Sequence, residues 1–255
     1  ATDVDLHADP HLLDGAHAMV TLGHDEYWST AMRAHATAAR DRGVNLAFLS
    51  SDTLAWRVRF GPAGAGSSEA GAPAHRITSY KEHVARDPVR SSPSGAFTGN
   101  GASLTGSAYV GCITPRVPTP GRAVYRYYDW TPDPARGPAW LFAGTGLSAG
   151  RAVHAILGYE LDQRTAASPP GVAVLGGGRA PCQPGTAGPS ARGDTTLYRA
   201  RSGALVFGSG TLGWELGLSP VLAASPEAPS SPDAGLVALT RNLLDRMLGS
   251  WAPSR

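Results

Sequence analysis

Apolar and polar positions alternate in short runs along this chain, and the first runs predict a strand followed by a helix. The apolar run 18–22 has the length of a strand, and the amphipathic run from about Asp25 to Arg42 has helical spacing, with a tight turn between them. Asp25 is suited to cap the first helical turn, and Gly43 to end the helix in a left-handed conformation. The positions spaced to face the core are Trp28, Met32, Ala36 and Ala39.

The segments that follow predict further strands. Val44 to Leu49 is apolar except for one asparagine, which is typical of a strand covered on both faces. Trp56 to Phe60 alternates apolar residues with arginines, so this strand should have one polar face. The small residues of 61–74 predict an exposed loop, and Arg76 to Tyr80 predicts a short strand after it.

In the second half, two apolar runs at 140–143 and 152–160 predict strands. The segments 166–171 and 176–192 predict loops, because glycine, proline and small polar residues dominate them. A short apolar run at 172–175 lies between these two loops.

The last part of the chain predicts a hairpin and a final helix. The runs 195–199 and 204–208 flank an Arg-Ser-Gly turn, and a helix should extend from about Pro232 to Leu248 with Ser231 as its N-cap. Its expected buried stripe comprises Leu236, Leu239, Leu243, Leu244 and Met247. The alternation of strands and helices predicts a three-layer α/β sandwich with an antiparallel β extension, formed by a single domain over 1–255.

Composition and charge argue against several classes of partner. The net charge of the 255 residues is +2, so no basic surface predicts binding to nucleic acid or to an anionic membrane. No apolar run approaches the roughly 20 residues that span a bilayer. The N-terminus has no signal-peptide pattern but begins abruptly, so the cytoplasm and a secreted location both stay open. Cys112 and Cys182 lack zinc-type spacing and could form a disulfide or stay two buried thiols.

The segment Gly23-His24-Asp25-Glu26-Tyr27-Trp28-Ser29 is the strongest candidate for chemistry. It follows the first predicted strand, and ligands of open α/β sheets bind at the carboxyl ends of strands. A serine hydrolase would have Gly-x-Ser-x-Gly at this junction, and an amidotransferase of similar architecture would have a cysteine nucleophile. Neither is present, so the segment indicates metal binding or acid–base chemistry rather than a covalent nucleophile.

Three oxygen donors lie at or just past the ends of predicted strands: Tyr27, Tyr80 and Glu160. If these strand ends share one edge of the sheet, two phenolates and a carboxylate would form a hard, anionic site suited to Fe(III). Each residue also has a plainer interpretation. A tyrosine at a strand end is usually a packed ring with a solvated hydroxyl, and Glu160 could pair with an arginine. Asp25 is better suited to capping than to metal ligation.

Several blocks of the sequence resemble the large (β) subunit of N,N-dimethylformamidase and its C-terminal-domain relatives. The resemblance covers most of the chain. The blocks are 23–29, 43–49, 56–60, Tyr80-Lys81 with Asp87-Pro88, 104–106, Gly158-Tyr159-Glu160 with Asp162, 195–199, 203–207, Gly210-Thr211 and Trp214.

This resemblance implies a fold similar to the class I glutamine amidotransferases, which is flavodoxin-like, and a mononuclear Fe(III). Carried over residue by residue, the implied iron ligands are Tyr27, Tyr80 and Glu160. The implied reaction is metal-assisted hydrolysis of a small amide, with proton transfer by His24 or Glu26. His24 could instead orient Tyr27, and Glu215 is a further catalytic candidate.

Two rival functions stay open beside the iron-dependent amidohydrolase. The first is a metal-free binding or structural module that keeps the fold without catalysis. The second is a carbohydrate-related role, although no paired carboxylates support glycoside cleavage. The expected partners are a small amide substrate and either a small companion subunit or further copies of the chain. The chain itself would be the C-terminal part of a longer family architecture.

Overall fold

The computed structural model describes residues 1–61, 76–91, 93–97, 101–118, 124–186, 188–219, 229 and 231–249. Most of the predicted loop 61–74 lies outside these residues. The helices are α1 (Asp3–Ala8), α2 (Thr30–Asp41), α3 (Ala102–Thr105), α4 (Ala139–Phe142) and α5 (Ala234–Met247). Short 3-10 helices are Lys81–Arg86, Pro134–Arg136 and Trp214–Gly217.

The strands are short and belong to one large sheet and three small ones. They are β1 (Ala18–His24), β2 (Tyr27–Ser29), β3 (Asn45–Ser51), β4 (Trp56–Gly61), β5 (Arg76–Thr78), β6 (Gly95–Ala96), β7 (Ala108–Ile113), β8 (Arg116–Val117), β9 (Val124–Tyr125), β10 (Tyr128–Pro132), β11 (Val153–Leu157), β12 (Glu160–Gln163), β13 (Ala173–Pro181), β14 (Ser190–Arg199) and β15 (Leu205–Gly208).

The large sheet has seven strands in the order β1-β3-β15-β14-β13-β10-β11. Strand β3 is parallel to both of its neighbours, β1 and β15, whereas the remaining neighbours are antiparallel. This confirms a mixed α/β protein with an antiparallel extension. A flavodoxin-like three-layer sandwich is not confirmed, because the described residues place few helices against a largely antiparallel sheet.

Two apolar clusters pack on opposite faces of the central strand β3. Ala47 and Leu49 belong to the cluster that contains the stripe of α5, whereas Leu46 and Phe48 belong to the cluster that contains α2. The alternation of side chains along a strand explains why neighbouring residues enter different clusters. The predicted double burial of this strand is therefore confirmed, and the strand lies between the two helices.

The predicted start of α2 is wrong by several residues. Residues 27–29 form strand β2, which pairs in parallel with β4, and the helix begins at Thr30 with Ser29 as its N-cap. Asp25 is therefore not the cap; its Oδ1 accepts a hydrogen bond from the indole of Trp28 at 2.7 Å. The predicted inner face is confirmed for Met32, Ala36 and Ala39, which are buried in α2; Trp28 is also buried but lies in β2.

Two other predictions are corrected. The run 140–143 lies in α4 rather than in a strand, because four apolar residues after Pro138 fit either element. The glycines 176–178 lie in β13 rather than in a loop. A Cβ on Gly177 would come within 2.2 Å of the Gly193 carbonyl, so glycine here permits close strand pairing.

The open question of the two cysteines is resolved in favour of a disulfide. Cys112 of β7 and Cys182, which follows β13, are bonded across a sequence separation of 70 residues. The predicted hairpin 195–208 is confirmed as the antiparallel pair β14 and β15. No helix in the described ranges combines the length and apolar character needed to cross a membrane.

Candidate functional site

The turn after β1 is held in place from two sides. Gly23, with a φ of +68°, makes the turn, and its N–H donates to Glu215 Oε1 at 2.7 Å. The carbonyls of Asp25 and Glu26 accept hydrogen bonds from Leu54 and Trp56, at 3.0 and 2.8 Å. The acidic segment therefore lies beside the carboxyl end of β3, as expected from the sequence.

Four carboxylates converge at this edge of the sheet: Glu26, Asp52, Glu160 and Asp162. Burial and then the charge of Glu26 raise the pKa of Glu160 to about 7, and burial raises the pKa of Asp162 to about 7. Burial and then the charge of Glu160 raise the pKa of Asp52 far above its usual range. Burial and mutual repulsion therefore both disfavour the ionised forms of Asp52 and Glu160.

Two oxygens of this cluster have no hydrogen-bond donor among the described residues. They are Glu160 Oε2 and Asp52 Oδ1, and both are buried. Asp162 is better satisfied, since its Oδ1 accepts from the Asp52 N–H at 2.7 Å. A buried carboxylate oxygen without a donor is costly, and a bound cation is one way to satisfy it.

His24 and Tyr27 approach the cluster from the turn. His24 Nε2 is hydrogen-bonded to the Tyr159 hydroxyl and lies 3.8 Å from Glu160 Oε2. Burial raises the pKa of the Tyr27 phenol, and the side chain of Lys81 opposes that rise. The Lys81 ammonium is 3.9 Å from Glu26 Oε2. These contacts involve six residues, of which His24, Glu26, Tyr27 and Glu160 were predicted from the sequence.

Tyr80 has a different set of neighbours. Its N–H donates to Ser94 Oγ at 2.8 Å, and the residue lines a surface pocket together with Arg59 and Pro88. Within the described part of the chain, no hydrogen bond or ion pair joins Tyr80 to Tyr27 or Glu160. Its role as an iron ligand therefore stays a prediction.

Glu215 contacts the turn rather than the carboxylate cluster. Its Oε1 accepts from Gly23, and burial raises the pKa of the side chain. This contact makes Glu215 a positioning residue for the turn that carries His24 and Tyr27. A direct part in catalysis stays a prediction.

A family model described as N,N-dimethylformamidase beta subunit-like, C-terminal, matches residues 1–229. The chain belongs to this family. The match spans every predicted site residue and ends before α5. A search of curated proteins finds no match to the chain.

Membership in the dimethylformamidase-like family supports the resemblance, but it does not test whether this protein binds iron. No three His, Cys, Asp or Glu side chains in the described ranges are grouped to hold a metal ion. The ligand set implied by the resemblance consists of two tyrosines and one glutamate, so it is not a group of three such side chains.

Sequence reasoning missed three residues that surround the cluster: Lys81, Tyr109 and Tyr159. Tyr159 stacks on Tyr125 with ring centroids 4.1 Å apart, and burial raises the pKa of Tyr109 and of Tyr159 well above the usual range. Tyr159 and Lys81 each stand next to a predicted ligand in a family block, which is a usable sequence signal. Tyr109 carries no such signal.

Proposed function

We propose that the protein hydrolyses a small linear amide of the N,N-dimethylformamide type at a mononuclear Fe(III) held by Tyr27, Tyr80 and Glu160. Family membership supports the substrate class. The observation that carries the proposal is the buried Glu160 Oε2, which has no donor among the described residues and lies in a group of four carboxylates.

The chemistry of the proposed donor set suits a hard cation. Its atoms are oxygens, which hard, highly charged metal ions prefer. A trivalent cation would also offset the burial and the carboxylate repulsion that raise the pKa of Asp52 and of Glu160. Tyr27 and Glu160 fit this role from the contacts described above, and Tyr80 rests on the family resemblance.

Bound Fe(III) would supply a Lewis acid that polarises the amide carbonyl or acidifies a water. The chain's own residues would handle the protons. Water adds to the carbonyl carbon and the C–N bond breaks, so one proton must reach the departing amine nitrogen. His24 is half-exposed and bonded to the Tyr159 hydroxyl, which suits a side chain that exchanges protons with solvent and substrate. Glu26, partly buried beside Lys81, is the second candidate.

The family description names a beta subunit, so we infer a companion subunit as a partner of this chain. Further copies of the chain are the alternative. Because the two apolar clusters share β3, we treat the chain as one folding domain.

The deciding experiment combines iron analysis with an assay for dimethylamine released from N,N-dimethylformamide. We expect about one iron per chain, a visible phenolate-to-iron absorption band, and turnover. Tyr27→Phe and Glu160→Gln should each lower bound iron and kcat/KM on the order of 100-fold.

Tyr198→Phe is the matched control, because Tyr198 lies away from the proposed site. It is opposite Val206 of β15, and Val206 is opposite Leu46 near the amino end of β3. This variant should retain iron and activity. Colourless, iron-free and inactive protein would instead favour the metal-free binding module.

A further inference from the structure

Lys81 is the single lysine of the chain, although 22 residues are lysine or arginine. Its ammonium nitrogen lies 4.9 Å from the ring centroid of Tyr27 and 5.3 Å from that of Trp56. On the third side it faces Glu26 Oε2 at 3.9 Å. Two aromatic faces and one carboxylate thus form a cradle around one positive charge.

The two rings of the cradle are placed by strand pairing. Tyr27 of β2 lies opposite Trp56 of β4 in the parallel pair, so their side chains are neighbours on one face. The hydrogen bond from the Trp56 N–H to the Glu26 carbonyl fixes the same pair of strands. The cradle therefore belongs to the framework that orients Tyr27.

The backbone of Lys81 is held in an uncommon conformation. Its φ of +46° lies in the left-handed region, which usually costs a non-glycine residue about 1 kcal/mol or more. Neighbouring contacts hold the segment there. Ser94 accepts from the Tyr80 N–H, and Asp87 accepts from Ser94 and from Arg59 of β4. Such locally strained residues are frequent at functional sites.

We propose that Lys81 is a positioning residue of the amide-hydrolysing site, where its ammonium fixes the Tyr27 ring and the Glu26 carboxylate. This inference rests on the proposed function. A lysine suits the cradle because its charge is compact, whereas the planar guanidinium of arginine has another shape and another hydrogen-bond geometry.

The kinetic consequence follows from what Lys81 touches. Its neighbours are a proposed ligand and a proposed proton carrier rather than an apolar binding surface. Losing its charge should therefore lower kcat on the order of 10- to 100-fold, while KM stays within about twofold.

The first test reads the geometry without any activity. Reductive methylation with ¹³C-formaldehyde labels Lys81 and the N-terminal amine, so two dimethylamine signals are expected by NMR. Ring currents of Tyr27 and Trp56 should shift the lysine signal upfield, and Tyr27→Leu or Trp56→Leu should reduce that shift. A lysine signal at the position of a free dimethyl-lysine in the wild-type protein would overturn the proposal.

The second test uses the single lysine to separate charge from structure. Dimethylation keeps the positive charge and should keep kcat, whereas acetylation removes it and should lower kcat as Lys81→Met does. The Lys81→Met variant has no lysine, so both treatments modify its N-terminal amine alone. Neither treatment should therefore change the kcat of this variant.

Arg86→Met is the matched control, since Arg86 is an exposed cation on the same 3-10 helix, and it should behave as wild type. Unchanged kcat in Lys81→Met, or equal loss in Arg86→Met, would refute the role. If the wild-type protein hydrolyses no amide, the proposed function fails and this role with it, while the NMR shift still decides whether the cradle exists.

Discussion

Single residues near the carboxyl ends of β1 and β3 support the proposed function, and two of them, Tyr27 and Glu160, are the first residues of β2 and β12. Glu160 has a buried oxygen without a donor among the described residues, and His24 lies 3.8 Å from that oxygen. Tyr27 contacts Lys81 beside Glu26. These residues could be selected from the sequence because they follow predicted strands and lie in family blocks. Tyr80 is a candidate on the same grounds, but its contacts in the structure are with Ser94 and Arg59.

Tyr80 therefore gives the sharpest prediction at the level of one residue. If its phenolate is a ligand, Tyr80→Phe should lower bound iron at least tenfold and weaken the visible band strongly. Absorption spectroscopy and metal analysis of the same sample measure this. An unchanged band in Tyr80→Phe, together with a lost band in Tyr27→Phe, would remove Tyr80 from the site.

The buried pair of Arg59 and Asp87 predicts a pH dependence of stability. Hydrogen bonds from Arg59, 2.8 Å between Nη2 and Oδ1, hold the pKa of Asp87 well below its usual range despite burial. A lowered folded-state pKa stabilises the protein above the unfolded value of about 3.9, and this contribution is lost as the pH falls below it.

Asp87→Asn should accordingly lower Tm at pH 7 by roughly 5 °C or more, and the difference from wild type should shrink below about pH 4. Thermal melts between pH 7 and pH 2 measure it. The control is Asp41→Asn, which removes the exposed carboxylate paired with Arg40 and should change Tm little. A difference that stays constant with pH would contradict the account.

For the helices, the sequence predicts that they exist and which residues they bury, whereas tertiary packing decides at which residue they begin. The existence of α2 and α5 and most of their buried positions follow from spacing. Their starts do not, because several nearby residues can cap a helix and the choice depends on tertiary contacts. Before α2, residues with helical spacing form the short strand β2 instead.

The N-cap of α5 tests this point directly. Asp233 accepts the Leu236 N–H at 2.9 Å and pairs with Arg151 at 3.1 Å, whereas Ser231, the cap predicted from sequence, is exposed. Asp233→Ala should lower the free energy of unfolding by about 1 kcal/mol, and Ser231→Ala should leave it within about 0.5 kcal/mol.

Chemical denaturation of both variants measures the difference. Asp233→Asn should retain most of the stability, because asparagine caps nearly as well as aspartate. The assignment fails if Ser231→Ala is the more destabilised of the two alanine variants.

Glycines show why some strands escaped prediction. The triplet 176–178 has the composition of a loop, but β13 needs glycine there because strands β10 and β14 approach it on both sides. Contacts of this kind join residues far apart in sequence, so local composition cannot reveal them. The hairpin of β14 and β15, whose contacts are local, was predicted correctly.

For the whole molecule, the disulfide links the strand pair that carries Glu160 to the large sheet. Cys112 lies next to Ile113, which is opposite Glu160 in the pair of β7 and β12. Its partner Cys182 follows β13 of the large sheet. The sequence left this bond undecided, because two cysteines 70 residues apart give no spacing to interpret.

Removing the disulfide should destabilise the whole fold. Replacing both cysteines with alanine should lower the free energy of unfolding by roughly 2–4 kcal/mol, since the bond restricts the unfolded chain. Urea unfolding with and without a reductant measures this. The reductant should destabilise wild type and leave the double variant unchanged; equal midpoints in all four samples would show that the bond contributes nothing.

The central claim is that this family member holds iron at the Tyr27 and Glu160 edge and uses it to hydrolyse an amide. One preparation, analysed for iron per chain and for dimethylamine released from N,N-dimethylformamide, tests it most directly. We expect about one iron per chain and turnover that disappears in Glu160→Gln together with the metal. Turnover that survives in iron-free Glu160→Gln protein, or stoichiometric iron that Glu160→Gln retains in full, would contradict the claim.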